Sequence, residues 1–159
     1  MKKIKFEAEA DFCSLEELSE KERMIVERAI EATKNSYANY SNFHVGAAAL
    51  LSDGTIVIGA NQENAAFPSG LCAERTALFA AQANKPDQPV DMLAIAARNK
   101  NGLTDVPVSP CGACRQVMVG VESRYSRPMK LLLYGTKGIY RFQSVSDLMP
   151  YSFVEDSMK

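Results

Sequence analysis

The sequence predicts an α/β protein built as a three-layer α/β/α sandwich, a mixed sheet of about five strands with helices on both faces. Two observations predict this class. Segments with the apolar repeat of amphipathic helices alternate with short runs rich in Val, Ile, Leu and Ala, which are typical of buried strands. The chain has 159 residues, the size of one domain, which we assign to 1–159. The expected element order is helix, strand, strand, helix, strand, helix, strand, strand.

The first helix is predicted over about 19–36. Two overlapping capping boxes precede or begin it, Ser14 with Glu17 and Ser19 with Glu22. Apolar residues then recur at helical spacing and form one face, while Glu and Lys residues cover the other face.

The later elements follow from composition and turn residues. Asp53-Gly54 is a tight-turn pair between two apolar runs, so 43–51 and 55–58 are predicted to form a β-hairpin. The elements after it are a loop over 61–71, a helix over 72–85, a strand over 92–97, a helix over 111–121, a strand over 130–134, an edge strand over 139–142 and a helical turn over 144–149. Residues 1–13 and 155–159 are predicted to be an N-terminal extension and a loose C-terminal tail.

The charge balance argues against several classes of partner. Lys and Arg number 18 and Asp and Glu number 19, so the formal net charge is −1 and no excess positive field attracts nucleic acid or an anionic membrane. No apolar run approaches the roughly 20 residues that cross a bilayer. Acidic residues follow Lys2 and Lys3 where a signal peptide needs an apolar stretch, so we expect a cytoplasmic protein.

Three of the four cysteines lie at predicted helix starts. Cys111 and Cys114 form a C-x-x-C pair, a spacing that lets both sulfurs bind one metal ion, and Cys72 offers a third ligand from another helix. Helix N-termini favour the thiolate that binds zinc. Three protein ligands leave one tetrahedral position open, which is typical of catalytic rather than structural zinc.

Glu74 lies two residues beyond Cys72, where a carboxylate can move protons to and from a water activated by the metal. The combination of C-x-E with P-C-x-x-C is the pattern of zinc deaminases.

These residues leave other interpretations open. Cys111 and Cys114 could serve as a redox dithiol, since C-x-x-C at a helix start also lowers a thiol pKa. A noncatalytic zinc-stabilised module and a deaminase acting on a different base-containing substrate are further alternatives. Alternation along the strand places His44, the single histidine, opposite Phe43, which favours a surface or packing role, and Cys13 is interpreted as a spectator thiol.

Five motifs, in order, resemble those of the small, homotetrameric, three-cysteine cytidine deaminases over about 29–153. They are Tyr40–Ala48, Asn61–Ala65, Cys72–Ala77, Ser109–Val117 and Leu148–Phe153. The resemblance implies a cytidine deaminase-like fold, one Zn²⁺ per chain and a homotetramer. It also implies the reaction: hydrolytic deamination of cytidine and 2′-deoxycytidine to uridine and 2′-deoxyuridine with release of ammonia, in pyrimidine salvage.

The resemblance also implies a role for each site residue. Cys72, Cys111 and Cys114 would hold the metal, Glu74 would move the protons, and Arg75 would hydrogen-bond to ligand sulfurs. The substrate contacts would be Phe43 packed on the base, Asn61 and Glu63 on a ribose hydroxyl, the Ala73 backbone on the ring carbonyl, the Ser109 carbonyl on the amino group, and Phe153 reaching into a neighbouring subunit's site. The sequence departs from the family pattern at Asn39, Gln62 and Phe67.

Overall fold

A computed structural model describes residues 1–159. The strands are β1 (Asp11–Cys13), β2 (His44–Leu51), β3 (Ile56–Ala60), β4 (Val90–Asn99), β5 (Gly102–Leu103), β6 (Lys130–Gly135) and β7 (Gly138–Phe142). The helices are α1 (Glu20–Ala32), α2 (Ala73–Asn84) and α3 (Gly112–Tyr125). Short 3₁₀ turns cover Leu15–Glu17, Thr33–Asn35, Phe67–Ser69, Val145–Leu148 and Glu155–Met158. None of the helices combines the length and apolarity that crossing a bilayer requires.

The seven strands form one mixed sheet in the order β1-β7-β6-β4-β2-β3, with β5 paired to the end of β4. Strands β4 and β6 are parallel, and all the other pairs are antiparallel. The α/β class is confirmed, and the eight predicted elements occur in the predicted order as α1, β2, β3, α2, β4, α3, β6 and β7.

The predicted number of about five strands is wrong, because β1 and β5 are additional. These strands have three and two residues, too short for an alternating pattern to show in the sequence. Strand β7, predicted as an edge strand, pairs with β6 on one side and with β1 on the other. The end of the predicted N-terminal extension is therefore part of the sheet.

Two apolar cores lie on opposite faces of the sheet, as the sandwich prediction requires. Along β2, Ala47 and Ala49 join the core shared with α2 and α3, whereas Ala48 joins the core shared with α1. The alternation follows from the two-residue period of a strand. The small side chains of β2 let helices approach closely on both faces.

Two glycines permit close backbone contacts that position the two segments carrying the predicted metal ligands. A Cβ at Gly59 of β3 would lie 2.4 Å from both the carbonyl oxygen of Ala73 and the amide nitrogen of Ala77, in the first turns of α2. A Cβ at Gly135 of β6 would lie 2.6 Å from the backbone nitrogen of Pro107, in the loop that leads to α3. Any side chain at either position would push these segments away from the sheet.

A buried carboxylate joins α1 to the far strands of the sheet. Glu22, 3% exposed, accepts hydrogen bonds from Lys130 of β6 at 2.8 Å and from the backbone of Ser19 at 2.9 Å. Arg141 of β7 lies 3.7 Å from Glu22 and also pairs with Asp11 of β1 at 2.9 Å. Burial alone would raise the pKa of Glu22, but the bonds from Lys130 and Ser19 outweigh it and the pKa is lowered.

We expect Glu22→Gln to reduce the free energy of unfolding at pH 7 by about 1–3 kcal/mol, because Lys130 loses its ionised partner. A lowered folded-state pKa stabilises the protein above the unfolded value of about 4.3, and this contribution disappears as the pH falls through the folded-state value. The difference between variant and wild type should therefore shrink on acidification. Urea unfolding at neutral and acidic pH measures it.

The matched control is Glu27→Gln, which changes an exposed glutamate on the same helix. Equal losses for the two variants, or a loss for Glu22→Gln that does not depend on pH, would contradict the role of the buried carboxylate.

Candidate metal centre and its cavity

The starts of α2 and α3 bring three cysteines together. Cys72 is the N-cap of α2, Cys111 is the N-cap of α3, and Cys114 lies in the first turn of α3. The three Sγ atoms lie within 4.8 Å of one another, and those of Cys111 and Cys114 are 3.5 Å apart. A disulfide needs about 2.05 Å between sulfurs. Sulfurs at about 2.3 Å from one tetrahedral zinc lie roughly 3.8 Å apart, so the spacing fits a shared metal ion.

The charges around the sulfurs also favour a cation. The pKa of Cys72 is lowered to about 5, because its sulfur shares a hydrogen bond with Cys114 and lies beside the guanidinium of Arg75, 3.5 Å away. The pKa of Cys114 is raised, because its proton is held by Cys72 and the residue is fully buried. Three thiolates this close repel one another, and a bound divalent cation removes that repulsion. The donor set therefore fits zinc.

Glu74 lies in the first turn of α2 and is 5% exposed. Burial raises its pKa, and the negative charge of Cys72 raises it further. A carboxyl group with a raised pKa can both accept and return a proton near neutral pH. Its position two residues beyond Cys72, beside the thiol cluster, suits a proton carrier.

A cavity of about 300 Å³ opens beside the cluster. Eight of the residues predicted from the sequence line it: Phe43, Asn61, Glu63, Cys72, Ala73, Glu74, Ser109 and Cys111. Cys114 is buried and does not line the cavity. Arg75 also does not line it, but its guanidinium contacts the sulfur of Cys72. Residues that sequence reasoning missed are Ser41, Val45, Ile95 and Val108. Val45 and Ile95 lie on β2 and β4, where strand alternation does not distinguish a cavity wall from the core, and Ser41 and Val108 lie in loops that carry no such signal.

Glu63 is held at the cavity edge by the loop that precedes β2. One carboxylate oxygen accepts from the backbone nitrogens of Tyr40, at 2.8 Å, and Ser41, at 3.3 Å, and the other accepts from the Ser41 hydroxyl. The Ser41 hydroxyl and the Tyr40 amide lower the pKa of Glu63. The group is therefore a fixed, ionised acceptor.

Asn61 directly follows β3. Its side chain is held by backbone groups at the start of the neighbouring strand β2 and by one hydroxyl group. Its Oδ1 accepts from the Val45 nitrogen at 2.7 Å and from the Ser36 hydroxyl at 2.6 Å, and its Nδ2 donates to the Phe43 carbonyl at 2.9 Å. The side-chain amide is fixed in one orientation before any ligand arrives.

A second cavity of about 320 Å³ adjoins the first and shares Asn61, Glu63 and Cys72 with it. Two of the three departures from the family pattern line this cavity. Gln62 donates to the Ala60 carbonyl at 3.3 Å, and the Phe67 ring is 78% exposed.

The structure leaves three singled-out residues away from these cavities. Phe153 is 59% exposed and lines neither cavity of its own chain. Cys13 is buried in the core on the α1 face, with its sulfur 3.7 Å from the Ile139 carbonyl. His44 is half-buried, with Nδ1 3.2 Å from the Ser36 hydroxyl. The roles predicted for these residues stay predictions.

The fold and the site together define a class: an α/β protein with a three-thiolate zinc centre and a buried glutamate at the starts of two helices. Comparisons with known proteins agree. The family model described as the cytidine and deoxycytidylate deaminase zinc-binding region matches residues 19–126. The chain belongs to this family and is a zinc-dependent hydrolase with one zinc per chain.

Relatives cover most of the chain. It is 40% identical over 136 residues to a cytidine deaminase of Halalkalibacterium halodurans, covering 86% of this chain and 96% of the relative. It is 39% identical over 137 residues to a cytidine deaminase of Sporosarcina psychrophila, covering 86% and 93%. The crystal structure of a cytidine deaminase from Burkholderia pseudomallei matches with a TM-score of 0.70 and 37% identity, covering 86% of this chain and all of that one. The family resemblance is confirmed, and the redox dithiol interpretation loses its support.

We expect Cys111→Ser to weaken zinc binding by about 100-fold or more, because a thiolate ligand is lost and a hydroxyl does not ionise in its place. Metal analysis of the purified protein, with titration against a chelator, measures this loss. Cys13→Ser is the control and should retain one zinc per chain, since its sulfur lies in the other core. Full zinc content in Cys111→Ser would contradict the assigned ligand set.

Proposed function

We propose that this protein hydrolytically deaminates cytidine and 2′-deoxycytidine to uridine and 2′-deoxyuridine, releasing ammonia, in pyrimidine salvage. One observation carries the proposal: a single cavity holds Glu74, two of the three clustered cysteines and two fixed polar side chains, Asn61 and Glu63. The names of the relatives, cytidine deaminases, agree with it.

Cys72, Cys111 and Cys114 would hold the zinc. Three thiolates and Zn²⁺ carry a net charge of −1, which reduces the metal's ability to acidify water. Arg75, 3.5 Å from the Cys72 sulfur, offsets part of that charge. When bound, zinc supplies an acidified water, with a pKa near 7, as the nucleophile.

Glu74 would carry the protons of the reaction. It accepts a proton from the attacking water and delivers it to ring nitrogen 3 as oxygen adds to carbon 4. It then takes the remaining proton from the hydroxyl on carbon 4 and delivers it to the amino group, so that the C–N bond breaks, ammonia leaves and the carbonyl of the uracil ring forms. Burial supports this role, since it raises the pKa of Glu74 toward the working pH.

The remaining cavity residues would orient the base. The Ala73 amide would donate to the ring carbonyl, the Ser109 carbonyl would accept from the amino group, and Phe43 would pack on the ring. All three line the cavity together with Glu74. Holding the ring in one plane places carbon 4 at the metal side of the cavity, which saves the entropy of orientation.

A ribose hydroxyl would bind Asn61 and Glu63. A site built around polar partners rejects an analogue that lacks them, so this pair supports a nucleoside over a free base. The net charge of −1 gives no electrostatic footprint for a polynucleotide, which supports a free nucleoside.

We also propose a cytoplasmic homotetramer in which Phe153 contributes to a neighbouring subunit's site. The backbone carbonyl of Phe153 accepts from Gln116 at 2.7 Å, whereas its ring is exposed and lines neither cavity of its own chain. The adjoining cavity presents a second exposed aromatic residue, Phe67. Exposed aromatic side chains on fixed backbone are frequent contact residues at interfaces.

Glu74→Gln should reduce ammonia release from cytidine by about 100-fold or more, because an amide cannot carry the proton. Zinc content should stay near one per chain, since the three sulfur ligands are untouched. A spectrophotometric deamination assay with parallel metal analysis measures both. The control is Glu27→Gln on the surface of α1, and full activity in Glu74→Gln would refute the assigned role.

Phe153→Ala should raise the KM for cytidine about 2- to 10-fold, the worth of one aromatic contact, while the assembly stays tetrameric. Light scattering and steady-state kinetics measure the two quantities. Met158→Ala, which changes an exposed apolar residue in the tail, is the control. A fully active monomer would contradict both the tetramer and the shared site.

A further inference from the structure

We propose that Ser36 and His44 are positioning residues that form a hydrogen-bond relay behind Asn61, saturate its carbonyl oxygen and so leave only an N–H of this amide for the sugar. The inference rests on the proposed function, because it assigns Asn61 to the nucleoside. Neither residue lines the cavity. Each acts through Asn61.

The orientation of the Asn61 amide follows from its backbone partners. The Val45 nitrogen can only donate, so the atom 2.7 Å from it must be the oxygen, Oδ1. The Phe43 carbonyl can only accept, so the atom 2.9 Å from it must be the nitrogen, Nδ2. These two bonds exclude the flipped amide.

The Ser36 hydroxyl must then act as a donor. It lies 2.6 Å from Asn61 Oδ1, which has no hydrogen to give, so the single hydroxyl hydrogen of Ser36 points to that oxygen. With the Val45 amide, this bond occupies both lone pairs of Oδ1. The carbonyl end of Asn61 is therefore fully used inside the protein.

The tautomer of His44 follows in turn. Its Nδ1 lies 3.2 Å from the Ser36 oxygen, whose only hydrogen is already directed to Asn61. Nδ1 must therefore carry a hydrogen and donate it to Ser36. The relay runs from His44 Nδ1–H through Ser36 O–H to Asn61 Oδ1, with every donor and acceptor matched.

The relay leaves one polar group of Asn61 without a partner inside the chain, the second N–H of Nδ2. Because Asn61 lines the cavity, this N–H is its contribution to ligand binding. Glu63, held as a carboxylate by Tyr40 and Ser41, contributes an acceptor beside it. A donor and an acceptor side by side match one hydroxyl group, which both accepts and donates. The backbone bonds and the relay together thus make the pair selective for a hydroxylated sugar.

The kinetic test is Ser36→Ala. We expect the KM for cytidine to rise about 3- to 10-fold, the worth of one neutral hydrogen bond, with kcat changed less than about 2-fold. The preference for cytidine over 2′,3′-dideoxycytidine, measured as the ratio of kcat/KM values, should fall by a similar factor. A merely structural role would lower activity on both substrates equally. Ser123→Ala is the matched control, because Ser123 is a half-buried serine on α3 whose hydroxyl makes no hydrogen bond.

The histidine variants separate the relay from packing. Asparagine places an amide nitrogen close to the position of Nδ1, so His44→Asn should keep the wild-type sugar preference. His44→Leu removes the donor and should reproduce part of the Ser36→Ala effect. Equal behaviour of His44→Asn and His44→Leu would overturn the role of the His44 donor.

A readout independent of activity comes from nitrogen NMR. His44 is the only histidine of the chain, so its ring gives a single set of signals in alkaline buffer, where an imidazole is neutral. We expect the Nδ1-protonated tautomer in wild type and a shift toward the Nε2-protonated form in Ser36→Ala. An Nε2-protonated ring in wild type would overturn the relay.

The outcomes distinguish the two levels of the proposal. Wild-type protein that deaminates no nucleoside would contradict the proposed function. Active wild type with an unchanged sugar preference in Ser36→Ala would contradict the relay alone.

Discussion

The site depends on the meeting of two helix N-termini against the sheet. Cys72 caps α2 and Cys111 caps α3, so the free amide groups and positive dipole ends of both helices point at the same small volume. Gly59 lets α2 lie directly on β3. If that close contact were lost, the Cys72 sulfur would move away from the α3 pair and the three-ligand centre would not assemble.

The meeting of these two helix N-termini also determines the charges around the thiol cluster. Thiolates this close together need positive charge nearby, which the helix ends, Arg75 and the metal would supply. Glu74 is buried beside them, and burial together with the Cys72 charge raises its pKa. A packing arrangement that gathers negative charge thus also prepares a carboxyl group for proton transfer.

The sequence predicts what is encoded locally and misses what depends on distant partners. The cysteines and Glu74 lie in short motifs at helix starts, so their grouping follows from cap and ligand chemistry. Strand β1 forms only because β7, more than a hundred residues away, offers an edge to pair with. The bond between Ser36 and Asn61 joins positions 25 residues apart that no spacing rule connects. The predicted role of Phe153 depends on a neighbouring subunit, which one chain's pattern does not determine.

The most direct measurement is a crystal structure of the protein with a transition-state analogue of cytidine hydrolysis. The central claim is that the three sulfurs, Glu74 and the sugar-binding pair act on one bound nucleoside. We predict one zinc at about 2.3 Å from the sulfurs of Cys72, Cys111 and Cys114, with the analogue's ring within hydrogen-bond reach of Glu74 and its sugar on Asn61. A disulfide between Cys111 and Cys114, or an analogue bound away from Glu74, would contradict the account.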